Sequence, residues 1–225
     1  MNSGLEPAGD ESVVPRLYGP HVLDSLFPLV CPGCGRRGDP VCGACAARLH
    51  PALPAPPPPG VDAWWAAFAY EGVAREVVAR LKYRGVRAAV PWLADAMVRA
   101  LPVPPTVAVV TWAPTSAPRR RARGFDPAEL LARAVARRLR ARSLGLLDRV
   151  PGPPQTGLSG ADRRHGPRHV ARRSAPSSVL VIDDVATTGA TFAAAARALR
   201  AAGAHTVVGL SAARTPPPRR SADRP

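Results

Sequence analysis

The sequence predicts an α/β fold: a mostly parallel sheet flanked by helices, preceded by a small N-terminal module built around four cysteines. Three observations predict it. From residue 61 onward, short apolar runs rich in β-branched residues alternate with helix-length segments; one such run enters a small, hydroxyl-rich turn that opens a helix; and every cysteine falls within residues 31–45. Strands that alternate with helices pair in parallel, because parallel strands need long crossovers and helices supply them. The length, 225 residues, suits one substantial core plus an appendage. The hydrophobic share, 46%, is enough to fold, although aromatics are only 5% and the core must be built mainly from Ala, Val and Leu.

The elements follow in order. Residues 1–20 are polar, aperiodic and punctuated by Gly and Pro, which reads as a disordered tail. An apolar run at 21–30 feeds the cysteines, and residues 21–50 form the small module. The stretch Pro51-Ala-Leu-Pro-Ala-Pro-Pro-Pro-Pro-Gly60 lacks backbone donors and has fixed φ, so it reads as a polyproline linker and a domain boundary. Within 61–214, residues 71–83 and 91–101 read as helices and 107–112 as a buried parallel strand. A helix at about 127–142 is well signalled: Asp126 can cap it, Pro127 suits its first turn, and Leu131, Val135 and Leu139 form an i, i+4 stripe. Residues 178–183 are the strongest strand; 191–202 are an Ala-rich helix closed by Gly203, and 206–210 another strand. Residues 215–225 read as a second disordered tail.

The formal net charge is +15, from 31 basic and 16 acidic residues, and Lys82 is the single lysine. Such a preference for Arg reads as compositional bias, which weakens any inference from Arg count alone. Position says more: residues 119–142 carry nine Arg against Asp126 and Glu129, and residues 149–173 six Arg against Asp162. Polyanions, phosphorylated small molecules or solubility each suit such patches. No stretch approaches the ~20 apolar residues of a membrane span. Acids precede the first Arg near the N-terminus, unlike a secretory signal, so a cytoplasmic, reducing location is expected.

Cys31-Pro-Gly-Cys34 and Cys42-Gly-Ala-Cys45 are two C-x2-C pairs seven residues apart. Each pair can fold into a tight knuckle that presents two thiolates to a tetrahedral ion. Structural Zn2+ in a zinc ribbon is the favoured reading; two disulfides or a redox pair are its rivals, and iron takes the same ligands. A four-thiolate site has no open position, so it staples a fragment too small to hold its own core.

The most informative segment is Val179-Leu-Val-Ile-Asp-Asp-Val-Ala-Thr-Thr-Gly-Ala-Thr191. A loop at the carboxyl end of a buried parallel strand faces the crevice where open α/β sheets bind ligands. Backbone N–H groups of Ala186, Thr187, Thr188, Gly189, Ala190 and Thr191, with the threonine hydroxyls, can surround a phosphate at a helix N-terminus. Gly189 lets the backbone approach closely. Carboxylates beside a phosphate are repelled by it, so Asp183 and Asp184 need a purpose; as pure acceptors they suit the adjacent hydroxyls of a ribose.

This segment resembles the PRPP-binding motif of type I phosphoribosyltransferases. The resemblance implies that Thr187–Thr191 hold the 5-phosphate of PRPP and that Asp183 and Asp184 hold its ribose hydroxyls. It also implies Mg2+ arriving with PRPP. Purine-salvage members carry an acid where Thr187 stands, which argues against hypoxanthine–guanine salvage.

Other pieces resemble the ComF family, which joins a four-cysteine zinc ribbon to a type I phosphoribosyltransferase-like domain. Phe68-Ala-Tyr70-Glu-Gly72 and Leu81-Lys-Tyr-Arg-Gly85 look like its segment before the first core strand. Arg123-Gly-Phe125 looks like its Arg-Gly-Phe element, and Gln155-Thr-Gly-Leu-Ser159 with Asp162-Arg-Arg like its Gln-x-x-Leu-Ser…Glu-Arg element. The sequence departs from the family at Asp126-Pro127, at Gly166 and at Thr111-Trp-Ala-Pro114, where the pyrophosphate loop is expected.

Lys82 is a candidate catalytic residue, because a compact ammonium differs from a guanidinium in a chain that otherwise uses Arg; a solvated helix end is its bland reading. Lys82 and Arg84 would then lean over the pyrophosphate or nucleophile side. Arg123, beside Gly124 in an expected loop, is a second candidate, with a plain surface arginine as the alternative. Two classes of function follow: a Mg2+-dependent phosphoribosyltransferase of unknown acceptor, or, as the family resemblance implies, a PRPP-dependent protein that handles single-stranded DNA in natural transformation. The basic segments suit a DNA backbone track, and Trp64, Trp65, Trp92 or Trp112 could stack on bases, although a core position suits them better.

Overall fold

The computed structural model describes residues 29–84, 87–102, 107–151 and 167–217, apart from the side chain of Arg84. The two tails, in large part, and the family-like elements at 155–159 and 162–164, together with Gly166, lie outside the described residues.

The cysteine module contains one short helix, α1 (Gly43–Ala46). The main sheet begins with β1 (Ala63–Ala69), followed by α2 (Gly72–Arg84) and α3 (Ala89–Arg99). Then come β2 (Val109–Trp112), α4 (Ala117–Arg123), α5 (Pro127–Arg138) and the short strands β3 (Arg142–Ser143), β4 (Leu147–Arg149) and β5 (His169–Ala171). The chain closes with β6 (Ser178–Ala186), α6 (Ala190–Ala201) and β7 (Thr206–Arg214). Five strands form one sheet in the order β1-β7-β6-β2-β3, every pair parallel, and β4 and β5 form a separate antiparallel pair. The mostly parallel sheet flanked by helices is therefore the architecture.

β6 lies at the centre, and its burial explains its apolar run. Leu180 and Ile182 face one buried cluster with Leu93, Met97, Leu131 and Val135, from α3 and α5. Val179 and Val181 face another, with Phe192, Ala195, Ala196 and Leu199 of α6. All four β6 side chains are fully buried, as expected of a strand covered on both faces. A charged clamp joins α3 to α5: Arg138 donates to the Asp95 carboxylate, including one bond of 2.9 Å, and to the Pro91 carbonyl.

Several expectations need correction. Residues 63–69 precede the expected first strand, yet they form the edge strand β1, in register with β7 from Ala63↔Val208 to Ala69↔Arg214. The helix from 127 ends at Arg138, not near 142, because Arg140 takes a left-handed φ of 53° and turns the chain so that Arg142 and Ser143 pair with Val109 and Val110. Arg123 is not in a loop: it ends α4, which Gly124 terminates with a φ of 74°. β6 and β7 both run farther than expected, so Asp184, like Asp183, lies within the strand.

The proline run lies against β1. Pro51 forms a bridge with Phe68, Ala52 N–H donates to the Ala67 carbonyl at 3.3 Å, and the Trp64 indole donates to the Ala55 carbonyl at 2.9 Å. Exposed edge strands invite unwanted pairing, and a proline segment covers this one.

Candidate functional site

The site is set by topology. β2 is followed by β3 on one side, and the chain then returns to place β6 on the other, so strand order reverses between β2 and β6. A crevice opens at such a reversal, outside the carboxyl ends of the strands. β6 delivers Asp183 and Asp184 to that end, and the chain turns through Thr187, Thr188 and Gly189 into α6.

The acids are arranged asymmetrically. Asp184 Oδ1 lies 3.0 Å from Lys82 Nζ, and both side chains are largely buried, at 14% and 17% exposure. Asp183 accepts the Asp184 N–H at 2.8 Å. Burial, and then the adjacent Asp184 charge, push the Asp183 carboxyl well above the usual carboxylate range, against the pull of that hydrogen bond and of Lys82. Lys82 is thus paired, rather than solvated, and its ammonium also lies 6.0 Å from the centre of the Tyr70 ring.

The turn has the form of an open anion cradle. Gly189 has a φ of 77°, and as N-cap of α6 it supplies no side-chain cap. Among the described residues, the first-turn N–H groups of α6 remain available, with only Ala190 N–H reaching the Thr188 hydroxyl at 3.4 Å. The glycine is also required by packing: a Cβ at Gly189 would lie 2.9 Å from Pro58 and 3.4 Å from the Trp64 ring. The proline run and β1 brace this turn from behind.

The structure brings in residues that sequence reasoning did not single out. Asp126, expected only as a cap, is buried and accepts N–H bonds from both Ala128 (3.1 Å) and Thr115 (2.8 Å). It thereby ties the segment after β2 to the start of α5. Burial raises its pKa, the two hydrogen bonds oppose this, and the Asp184 charge adds to the rise. Burial and then the Arg119 charge lower the pKa of Arg149, at the end of β4, and the Asp183 and Asp126 charges oppose that shift. His169, its partner across the β4–β5 pair, is buried, and its nearest polar partner among the described residues is the backbone of Pro114. Burial and then Arg149 hold its pKa down at about 4. No local pattern could have picked Arg149 out of so many arginines; His169 is one of only five histidines, but its burial depends on strand pairing.

Arg123 stacks its guanidinium over the Tyr83 ring at 4.9 Å, and Tyr83 is 74% exposed. The departures at Thr111 and Trp112 have packing reasons: the Thr111 hydroxyl accepts Leu146 N–H at 3.2 Å, and the Trp112 ring fills the space beside Gly145. The four tryptophans are all partly buried, each packed against a core cluster.

The four cysteines converge, with their sulfurs all within 4.8 Å of one another. All are free thiols, and Cys34 Sγ and Cys42 Sγ are 3.6 Å apart. A tetrahedral zinc with four thiolates requires sulfurs about 3.8 Å apart, so the set fits that ion. Burial opposes ionisation of Cys31, but N–H groups of Cys42, Cys34 and Gly33 outweigh it and bring its pKa to about 6. Burial and the neighbouring sulfurs push Cys45 up to about 12. A bound cation is what would let all four ionise together. Cys31, Cys42 and Cys45 belong to the same buried cluster as Val73 and Val77 of α2, so the module shares a core with the sheet domain.

No family model matches the chain, and no curated protein matches it significantly. Among solved structures, the chain is similar to the allosteric regulatory enzyme of purine biosynthesis, with 21% identity and a TM-score of 0.40. That match takes in 56% of this chain and spans about a quarter (26%) of the other. Among the described residues, no helix is long and apolar enough to cross a membrane.

Proposed function

We propose that this protein binds PRPP at the carboxyl end of β6 and acts as a Mg2+-dependent phosphoribosyltransferase-like protein of the ComF type, in the cytoplasm. One observation carries the reading: an acidic pair with one member held by Lys82 leads directly into an uncapped helix N-terminus, at the point where strand order reverses. Asp183 and Asp184 accept the ribose hydroxyls, and residues 187–191 donate to the 5-phosphate. Hydroxyl donors replace the water that Asp183 has lost, which relieves its raised pKa. Lys82 orients Asp184 through their 3.0 Å ion pair. The crevice between β2 and β6 takes the pyrophosphate, where Thr115 is anchored by Asp126 and where Arg149 and Arg119 supply positive charge. Mg2+, bound with PRPP, neutralises charge on the leaving group.

In the transfer, an acceptor lone pair forms a bond to C1 as the C1–oxygen bond to pyrophosphate breaks. The bonding electrons leave with pyrophosphate, and the acceptor's proton passes to solvent. The chain's work is to hold the reacting groups in line and to stabilise developing charge. Pyrophosphate release, screened with Mg·PRPP against nucleobases, amines and DNA, tests the activity. Release above the no-acceptor rate supports transfer; PRPP binding without release for any acceptor leaves a PRPP-dependent binding protein.

The second reading, single-stranded DNA handling, is favoured by α4, which exposes Arg119, Arg120 and Arg121 and buries no residue. A backbone track on this helix predicts affinity that falls steeply with salt and ignores sequence. Structural Zn2+ at Cys31, Cys34, Cys42 and Cys45 completes the proposal.

A further inference from the structure

A cavity opens beside the 187–191 turn and shares Thr187 and Thr188 with it. It encloses about 570 Å³, and Leu53, Pro54, Trp64, Thr188, Arg214 and Pro217 are among the residues that line it. Arg214 is the last residue of β7, in register with Ala186, immediately before the 187–191 turn. It is 93% buried, yet among the described residues its guanidinium makes no ion pair or hydrogen bond. The guanidinium stacks over the Trp64 ring, at 4.8 Å from its centre. The acids nearby do not serve it: Asp62 is taken up by Arg200, with two bonds of 2.8 Å, and Glu71, on the cavity wall, is exposed and forms no ion pair with it. Burial lowers its pKa from the ordinary guanidinium value, with no neighbouring charge to offset the loss.

Arg214 lines the cavity with most of its side chain withdrawn from water, and stacking on an aromatic face recovers only part of the hydration its guanidinium gives up. The missing partner is an anion, and a guanidinium takes a planar carboxylate in bidentate fashion. The apolar part of the wall is indole, proline and leucine, which suits a flat apolar body, while His50, Glu71, Thr187, Thr188 and Thr215 form its polar part. We propose that this cavity binds a planar aromatic carboxylate, with the carboxylate on Arg214 and the ring against Trp64.

Resting on the PRPP reading above, this molecule is the acceptor. An in-line displacement puts entering and leaving groups on opposite sides of C1. The crevice assigned to pyrophosphate lies between β6 and β2, and the Arg214 cavity lies on the β7 side; β2 and β7 are the two neighbours of β6.

Calorimetric titration with benzoate, with neutral benzamide as control, tests the pocket on the full chain. Saturable benzoate binding is expected, weakened on the order of tenfold or more in Arg214→Gln, with benzamide at least as weak. Leu53→Glu, at an exposed rim position, should weaken benzoate binding too and carries the test if Arg214→Gln does not fold. No benzoate binding to the parent, or equal binding to both variants, overturns the pocket. Mg·PRPP titration of Arg214→Gln separates the two readings. Unchanged PRPP affinity supports a separate acceptor site, whereas its loss assigns Arg214 to PRPP and overturns the acceptor role. A parent that binds benzoate but not PRPP sustains the pocket and sinks the PRPP reading alone.

Discussion

Lys82 Nζ lies 3.0 Å from Asp184 Oδ1, so the only lysine of the chain neutralises one of two adjacent carboxylates. Without it the two carboxylates would repel each other unscreened, and Asp183 would bind a proton more readily. Lys82→Ala should therefore weaken Mg·PRPP binding about tenfold or more, with a stability loss of about 1–3 kcal/mol for an uncompensated half-buried charge. Lys82→Arg should fail to restore full affinity, since a guanidinium is larger and planar. Calorimetry on both variants checks this, and undiminished affinity in Lys82→Arg removes any special role for a compact ammonium.

Asp126 accepts bonds from two segments, at Thr115 and Ala128. Asp126→Ala loses a helix cap and frees the segment after β2, for a cost of about 1–3 kcal/mol in urea unfolding. Its PRPP affinity should also drop, because Thr115 is no longer anchored beside the crevice. A variant that is less stable but binds PRPP like the parent would confine Asp126 to capping.

Much of the central architecture was legible because β6 is covered on both faces, which forces an unbroken apolar run, and because Gly189 and Asp126 mark helix starts. β1 was not. Trp65 and Phe68 pack toward one cluster and Trp64 toward the other, so residues 63–69 show no polar alternation to mark a strand. The strands β3, β4 and β5, of two or three residues each, are too short for any period and exist through tertiary pairing. In the site, the acids and the phosphate-like turn were legible from a contiguous segment. The Lys82–Asp184 contact, Arg149, His169 and the unpaired Arg214 come from chain segments far apart, and only the fold brings them together.

His169 is buried neutral, with a pKa of about 4 against 6.5 for a free imidazole. The unfolded chain binds the proton more readily, so stability present above pH 6.5 is lost as pH falls toward 4, on the order of 3 kcal/mol. Asp183 and Asp126, whose pKa values are raised, act in the opposite direction on acidification. The difference between parent and His169→Phe isolates the histidine. The variant should lose less stability than the parent between pH 6.5 and 4 in thermal melts; parallel curves would contradict a buried neutral imidazole.

Metal removal should destabilise the whole protein, because three of the four cysteines share a buried cluster with α2. Zinc analysis of the intact protein should find one ion per chain. A strong chelator should lower the Tm by roughly 5 °C or more within a single transition. A separate early transition, with the main one unmoved, would mean that the cysteine module melts by itself.

The central claim is that Asp183, Asp184 and the 187–191 turn bind PRPP. Its most direct test is calorimetric titration of Mg·PRPP into the parent and into the Asp183→Asn, Asp184→Asn double variant. Saturable binding at one site per chain is expected in the parent, weakened a hundredfold or more in the double variant, on the order of 3 kcal/mol. Equal binding by the two proteins, or none by the parent, would contradict it.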